Sequence, residues 1–213
     1  MDDYTTSGAI EPGFRNMKFS LTEIRDIIIA VVVLSISFTI ILARANPTYF
    51  SQDNVTNIAC WVLVSFILVI ASFLLHELGH KYVAQRMGAW SEFRASPIGL
   101  GLCLVICLVS GFLFAAPGAV YIRGDIDKDM YGKISLAGPV VNIILGFIAL
   151  GVSMITTGRV GAIFFLLAHL NGFLAVFNML PLFQLDGLKV LKWNIPVYIV
   201  TMAVAALLLY LAW

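Results

Sequence analysis

Long apolar runs without charge constrain this chain more than any other feature. They lie at about 27 to 43, 58 to 75, 95 to 122, 134 to 158, 160 to 185 and 193 to 213, and the second continues helically through residue 85. About 20 apolar residues cross roughly 30 Å of hydrocarbon as a helix, so these runs read as membrane spans. One greasy soluble domain would not divide its apolar residues this way, and 61% hydrophobic with only 12% charged residues lies outside the soluble norm. The expected fold is an all-α polytopic membrane protein with five or six transmembrane helices.

The run at 95 to 122 decides between five and six. It contains Pro97, Gly99, Gly101, Gly111, Pro117 and Gly118, which weaken a continuous helix, although membranes tolerate such residues better than water does. Lys and Arg are retained on the cytoplasmic side of membranes. If the run does not cross, every Lys and Arg except Arg44 and Arg159 falls on that side; if it crosses once, the basic residues divide almost evenly. The bias favours a re-entrant or β-hairpin segment near 95–122, with an ordinary sixth helix as the alternative. A hairpin there would offer an edge strand.

Residues 1–17 are polar and lack the basic start and apolar core of a signal peptide. They read as a flexible tail ahead of a single membrane-embedded domain at 18–213. A net charge of +1 gives no footprint for nucleic acid, which is excluded as a partner. Cys60, Cys103 and Cys107 are odd in number and lack a C-x-x-C pair, so they read as membrane-buried thiols, not as a disulfide framework or thiolate metal site.

The chemistry sits in His76-Glu77-Leu78-Gly79-His80, at the end of an apolar run. On a helix, residues i and i+4 share a face, so His76 and His80 can converge on one Zn2+ while Glu77 takes a proton from water that the metal has acidified. Three ionisable groups at the edge of hydrocarbon are costly, about 2 to 3 kcal/mol each, which argues against a merely structural cluster. A helix starting near Ile58 carries His76 about 27 Å along its axis, near the inner face of the bilayer, within reach of water.

A catalytic zinc ordinarily takes three protein ligands. Asp125, Asp127 and Asp129 belong to a charged loop and read as solvated surface. Asp186 directly follows an apolar span and is on the same membrane side as the histidines if 95–122 is re-entrant. It is the candidate third ligand, with a plain helix-ending turn as the alternative; Pro181 can break the preceding helix and Gly187 can let the backbone turn. His169 is mid-span and reads as a histidine bonded to a neighbouring helix. Asn178 and Asn142 are candidate oxyanion or substrate contacts, each with an interhelical packing role as its alternative. Gly138, Asn142 and Gly146 form a stripe that lets a second helix approach closely, and Asn171 and Asn178 share one face of theirs.

These residues resemble the site-2 protease family of intramembrane zinc metalloproteases. Its H-E-x-x-H motif corresponds to His76, Glu77 and His80, its N-x-x-P…L-D-G motif to Asn178, Pro181, Leu185, Asp186 and Gly187, and its G-P-x-x-N element to Gly138, Pro139 and Asn142. The resemblance covers about 58 to 190, the expected catalytic core. It implies that Asp186 is the third zinc ligand, that the three motif-bearing helices form the core, and that Asn178 contacts substrate or oxyanion. The implied substrates are transmembrane segments of other proteins, cut on the cytoplasmic side of the lipid bilayer. No PDZ-sized insertion and no regulatory domain after the final span are expected. An anchored soluble-type protease would need its motif in a polar domain, and a CAAX-type zinc protease a downstream glutamate, for which only Glu92 is available. The non-enzyme alternative is an intramembrane zinc transporter or metal sensor.

Overall fold

The computed structural model describes residues 17–45, 55–111 and 117–213. The tail expected at 1–17 lies, Met17 apart, outside the described residues. Helix α1 (Leu21–Ala45) is followed by α2 (Val55–Val69), which runs through a π-helical stretch (Ile70–Leu74) directly into α3 (Leu75–Arg86). Gly88, at φ +84°, turns the chain out of α3 into strand β1 (Trp90–Ala95). Then come α4 (Pro97–Ser110), β2 (Gly118–Arg123), α5 (Lys128–Ile155), α6 (Gly158–Asn178), α7 (Asp186–Trp193) and α8 (Ile195–Leu211).

Four helical segments are long and apolar enough to cross a membrane: α1, α2 with α3, α5 and α6; α4 and α8 are shorter apolar helices. Their polarity is inverted relative to a soluble bundle. Ile28, Val32, Leu63, Ile67, Val105 and Ile148 are exposed, whereas Lys81 and Glu23 are fully buried. Such a surface suits lipid, and the chain is an all-α membrane protein carrying one small two-stranded sheet.

Two apolar clusters hold the bundle. Val31, Leu34 and Phe38 of α1 pack with Leu68 and Val69 of α2, Cys103 of α4 and Leu170 of α6. Ala149 and Leu150 of α5 pack with Ala168 of α6 and Leu208 of α8. The stripe on α5 works as the sequence suggests: a Cβ on Gly146 would run into Leu208, and one on Gly138 into the histidines of α3.

The run at 95–122 is part helix and part strand. Ala95 and Gly118 are cross-strand partners, so these two ends of the segment meet. Its first part is helical despite Pro97, Gly99 and Gly101. Pro97 takes the first helical turn, where a missing N–H is harmless, and the Ser96 hydroxyl accepts from the Gly99 N–H (3.1 Å). The Arg44 guanidinium donates to the Cys107 carbonyl near the far end of α4 (3.1 Å), and Gly111 at φ +71° closes that helix. The hairpin differs from expectation in its partner strand, since β2 comes from the run whereas β1 comes from the polar WSEFRA before it. Cys103 and Cys107 are buried against Ser37, while Cys60 is exposed on α2 and so is not buried within the fold.

Each edge of the hairpin has a different neighbour. On β1 the Phe93 N–H donates to Glu23 Oε1 (2.9 Å) and the Ala95 N–H to Asp26 Oδ2 (3.3 Å). Both amides therefore point away from β2. In an antiparallel ladder the paired residue of such a couple also points its amide outward, so Val120, opposite Phe93, presents its N–H on the far side of β2. Lys81 of α3 fixes the assembly from below, donating to both Glu23 oxygens (2.8 and 2.7 Å) and to the Ser91 carbonyl (3.1 Å).

Candidate metal centre

Helical periodicity puts His76 and His80 of α3 on one face, and the turn after α6 brings Asp186 to them. The two Nε2 atoms are 3.0 Å apart, and Asp186 Oδ2 lies 3.4 Å from that of His76 and 3.1 Å from that of His80. A tetrahedral ion with bonds of about 2.0 to 2.1 Å spaces its donors about 3.3 Å apart, so the triangle fits one small divalent ion. All three residues are buried, and among the described residues they are the group of His, Cys, Asp and Glu side chains suited to a metal. Two imidazoles and one carboxylate suit zinc, cobalt or iron.

Ring orientation agrees with this reading. His80 Nδ1 lies 2.7 Å from the Ile134 carbonyl, which can only accept, so that nitrogen carries the proton and Nε2 keeps its lone pair. Pro139 lacks the N–H that would bond Ser135, which opens the turn of α5 from which Ile134 accepts. His76 Nδ1 lies 2.5 Å from Asn142 Oδ1. The Asn142 amide nitrogen in turn donates to the Ser72 carbonyl (2.9 Å), inside the π-helical stretch, and to Asn171 Oδ1 (2.8 Å). Two lone pairs thus face each other and a carboxylate, an arrangement that a cation would relieve.

Asp186 opens α7 instead of ending a helix in a plain turn. The chain reverses at Phe183, whose φ is +50°, and not at Gly187 as the sequence suggests. Gly187 is needed for closeness: a Cβ there would overlap the Met179 carbonyl. At the other end of α7, the Trp193 indole N–H donates to Asp129 (2.9 Å) while its ring lies over Gly132.

Glu77, one residue along the helix from His76, is half-buried beside this cluster with the Val120 amide of β2 directed at its carboxylate. The outward edge of β2 and Glu77 therefore face each other. Asn142 is fully buried behind the histidines with its amide committed to His76, Ser72 and Asn171, away from any open surface. Asn178 is half-buried at the end of α6, its amide donating to the Leu174 carbonyl (3.0 Å). His169 bonds the Ala212 carbonyl (3.0 Å), as expected of an interhelical histidine. Sequence reasoning missed Val120 and Ile134, whose roles belong to the backbone and leave no signature in side-chain chemistry.

Comparison with known proteins gives relatives of one kind. "Putative zinc metalloprotease MJ0611" of Methanocaldococcus jannaschii is 42% identical over 182 residues, covering 83% of this chain and 87% of that protein. Zinc metalloprotease MJ0392 of the same organism is 30% identical over 141 residues, 65% of this chain but only 36% of the relative. "Putative zinc metalloprotease YwhC" of Bacillus subtilis is 33% identical over 149 residues, 61% of this chain and 68% of its own length. No family model matches the chain, and no solved structure does.

Proposed function

The chain belongs to a family of zinc metalloproteases, and from that premise we propose that it is a site-2-protease-like endopeptidase that cuts transmembrane segments of other proteins within or beside the bilayer. The observation that carries this reading is the buried His76, His80 and Asp186 triangle at the end of an apolar helix, with Glu77 beside it.

His76 and His80, through Nε2, and Asp186, through Oδ2, would hold the ion. Zinc supplies a Lewis acid that acidifies a water and polarises a peptide carbonyl. Glu77 takes the proton from the attacking water and returns it to the leaving amine. Asn178, half-buried at the end of α6, is the candidate for contact with the developing oxyanion.

A helical substrate hides its carbonyls in its own hydrogen bonds, so it has to unwind before attack. The outward edge of β2 offers an extended segment a strand to pair with, directly over Glu77. Glu23 and Asp26 hold the corresponding amides of β1 against α1, whereas the outward Val120 amide of β2 meets the Glu77 carboxylate, which an incoming strand would displace.

Taking α8, at 17 residues, as a short span gives five crossings by α1, α2 with α3, α5, α6 and α8, with α4 re-entrant. The distribution of basic residues supports a metal centre on the cytoplasmic side. The domain is read as one membrane-embedded unit at 18–213, with substrate and lipid as its partners. A transporter or sensor would share the ligands but has no use for Glu77.

The test is cleavage of a transmembrane reporter by purified protein, comparing wild type with Glu77→Gln at matched zinc occupancy. Cleavage by wild type alone supports the reading; equal cleavage by the variant rules out Glu77 as the base.

A further inference from the structure

Asn171 of α6 is fully buried and touches neither the candidate ligands nor any open surface, yet its amide has only one consistent orientation. Its nitrogen donates to the Leu167 carbonyl (2.9 Å), which can only accept. Its oxygen therefore faces Asn142 and accepts one of the two hydrogens on that amide nitrogen (2.8 Å). The Ser72 carbonyl accepts the other (2.9 Å). With its nitrogen held from two sides, Asn142 must present its oxygen to His76 Nδ1 (2.5 Å). That nitrogen must then carry the ring proton, and the lone pair falls on Nε2, the atom that faces His80 and Asp186.

We propose that Asn171 is a positioning residue for the metal centre, selecting the His76 tautomer through Asn142. The hydrogen bonds run from a backbone carbonyl of α6, across two amides, to a ring in α3, so three helices have to be correctly packed before His76 can serve as a ligand. His80 has no such relay because the Ile134 carbonyl reaches it directly. The difference explains why one histidine is set by a carbonyl that can only accept and the other by an amide that can turn over. Without Asn171, a reversed Asn142 would meet one opposing acceptor, Ser72, instead of two.

The inference rests on the reading of His76, His80 and Asp186 as metal ligands, and the experiment separates the two. Chain labelled with ¹⁵N-histidine is prepared as wild type, Asn171→Leu and Asn171→Asp in detergent micelles. Tautomers are read by NMR on metal-free protein at a pH alkaline enough to leave the imidazoles neutral, where only three histidines contribute, and zinc affinity is measured by competition with a chelator. Wild type is expected to show His76 protonated at Nδ1. Asn171→Leu should populate the Nε2–H form and bind zinc about tenfold more weakly, the lower end of losses seen when groups behind ligands are removed. Asn171→Asp should restore both, because a buried neutral carboxyl can accept from Asn142 and donate to Leu167 as the amide does. An unchanged tautomer in Asn171→Leu, with or without weaker zinc binding, overturns the relay. So does Asn171→Asp behaving like Asn171→Leu, and Asn171→Asp keeps the test usable if the leucine variant does not fold. Failure of wild type itself to bind zinc would overturn the metal reading instead.

Discussion

Lys81 and Glu23 form an ion pair in which neither side chain has any exposed surface, although one sits beside the candidate ligand His80 and the other near the start of α1. All three ammonium hydrogens have acceptors, and Glu23 also receives the Phe93 amide. Removing one partner strands a buried charge, at a cost of about 3 to 5 kcal/mol. Glu23→Leu is expected to lower the melting temperature in detergent by many degrees, with the double variant Glu23→Leu/Lys81→Met recovering much of the loss. Equal melting of wild type and Glu23→Leu would show that the pair is not what ties α1 to α3.

Ligand and base variants should separate cleanly. His76→Ala and Asp186→Ala are expected to lose bound zinc on dialysis, whereas Glu77→Gln keeps one ion per chain and loses about 10²- to 10⁴-fold in turnover. Metal content by atomic emission, read beside reporter cleavage, checks both. Loss of zinc from Glu77→Gln would mean that Glu77 is a ligand and not the base.

Gly138 has its Cα against the ring nitrogens of both histidines, and a methyl there would overlap them. Alanine normally strengthens a helix. Gly138→Ala should therefore leave α5 folded while weakening zinc binding at least tenfold, an uncoupling that calorimetry and chelator competition can record together. Retained zinc affinity would show that α5 can move away from α3.

The Val120 amide points away from β1, so proline at this position leaves the hairpin ladder unbroken while removing the donor that faces Glu77 and an incoming strand. Val120→Pro is expected to keep bound zinc and raise the KM for a transmembrane reporter by about tenfold or more. Unchanged KM would mean that substrate does not pair with β2.

The centre was legible because its chemistry is local or carried by unusual residues. His76, Glu77 and His80 announce themselves by helical spacing, and Asp186 by its place after an apolar span. Charge bias pointed to a 95–122 segment whose ends lie together, and Ala95 and Gly118 are paired across the strands. Its helical first half was not, because Pro97 and the glycines carry a penalty that position in the first turn and the Ser96 cap remove. Nor was β1, whose polar WSEFRA is buried only because Glu23, Asp26 and Lys81 come to it from distant parts of the chain. Gly187 looked like a turn residue, but Phe183 makes the reversal and Gly187 makes room. Sequence spacing reports which residues share a helix face; it does not report which backbone carbonyl will be waiting there.

Synthesis runs from β1 to α4 to β2, so Pro97–Ser110 leaves the ribosome before the strand that brings the chain back exists. At that moment the insertion machinery meets an apolar helix with no sign that it will return. Only when Gly118–Arg123 has emerged can it pair with Trp90–Ala95 and close the loop. If α4 re-enters as proposed, the six residue pairs of this hairpin close the loop that fixes the direction of α5, α6 and α8, and a nascent chain halted before them would hold an undecided half.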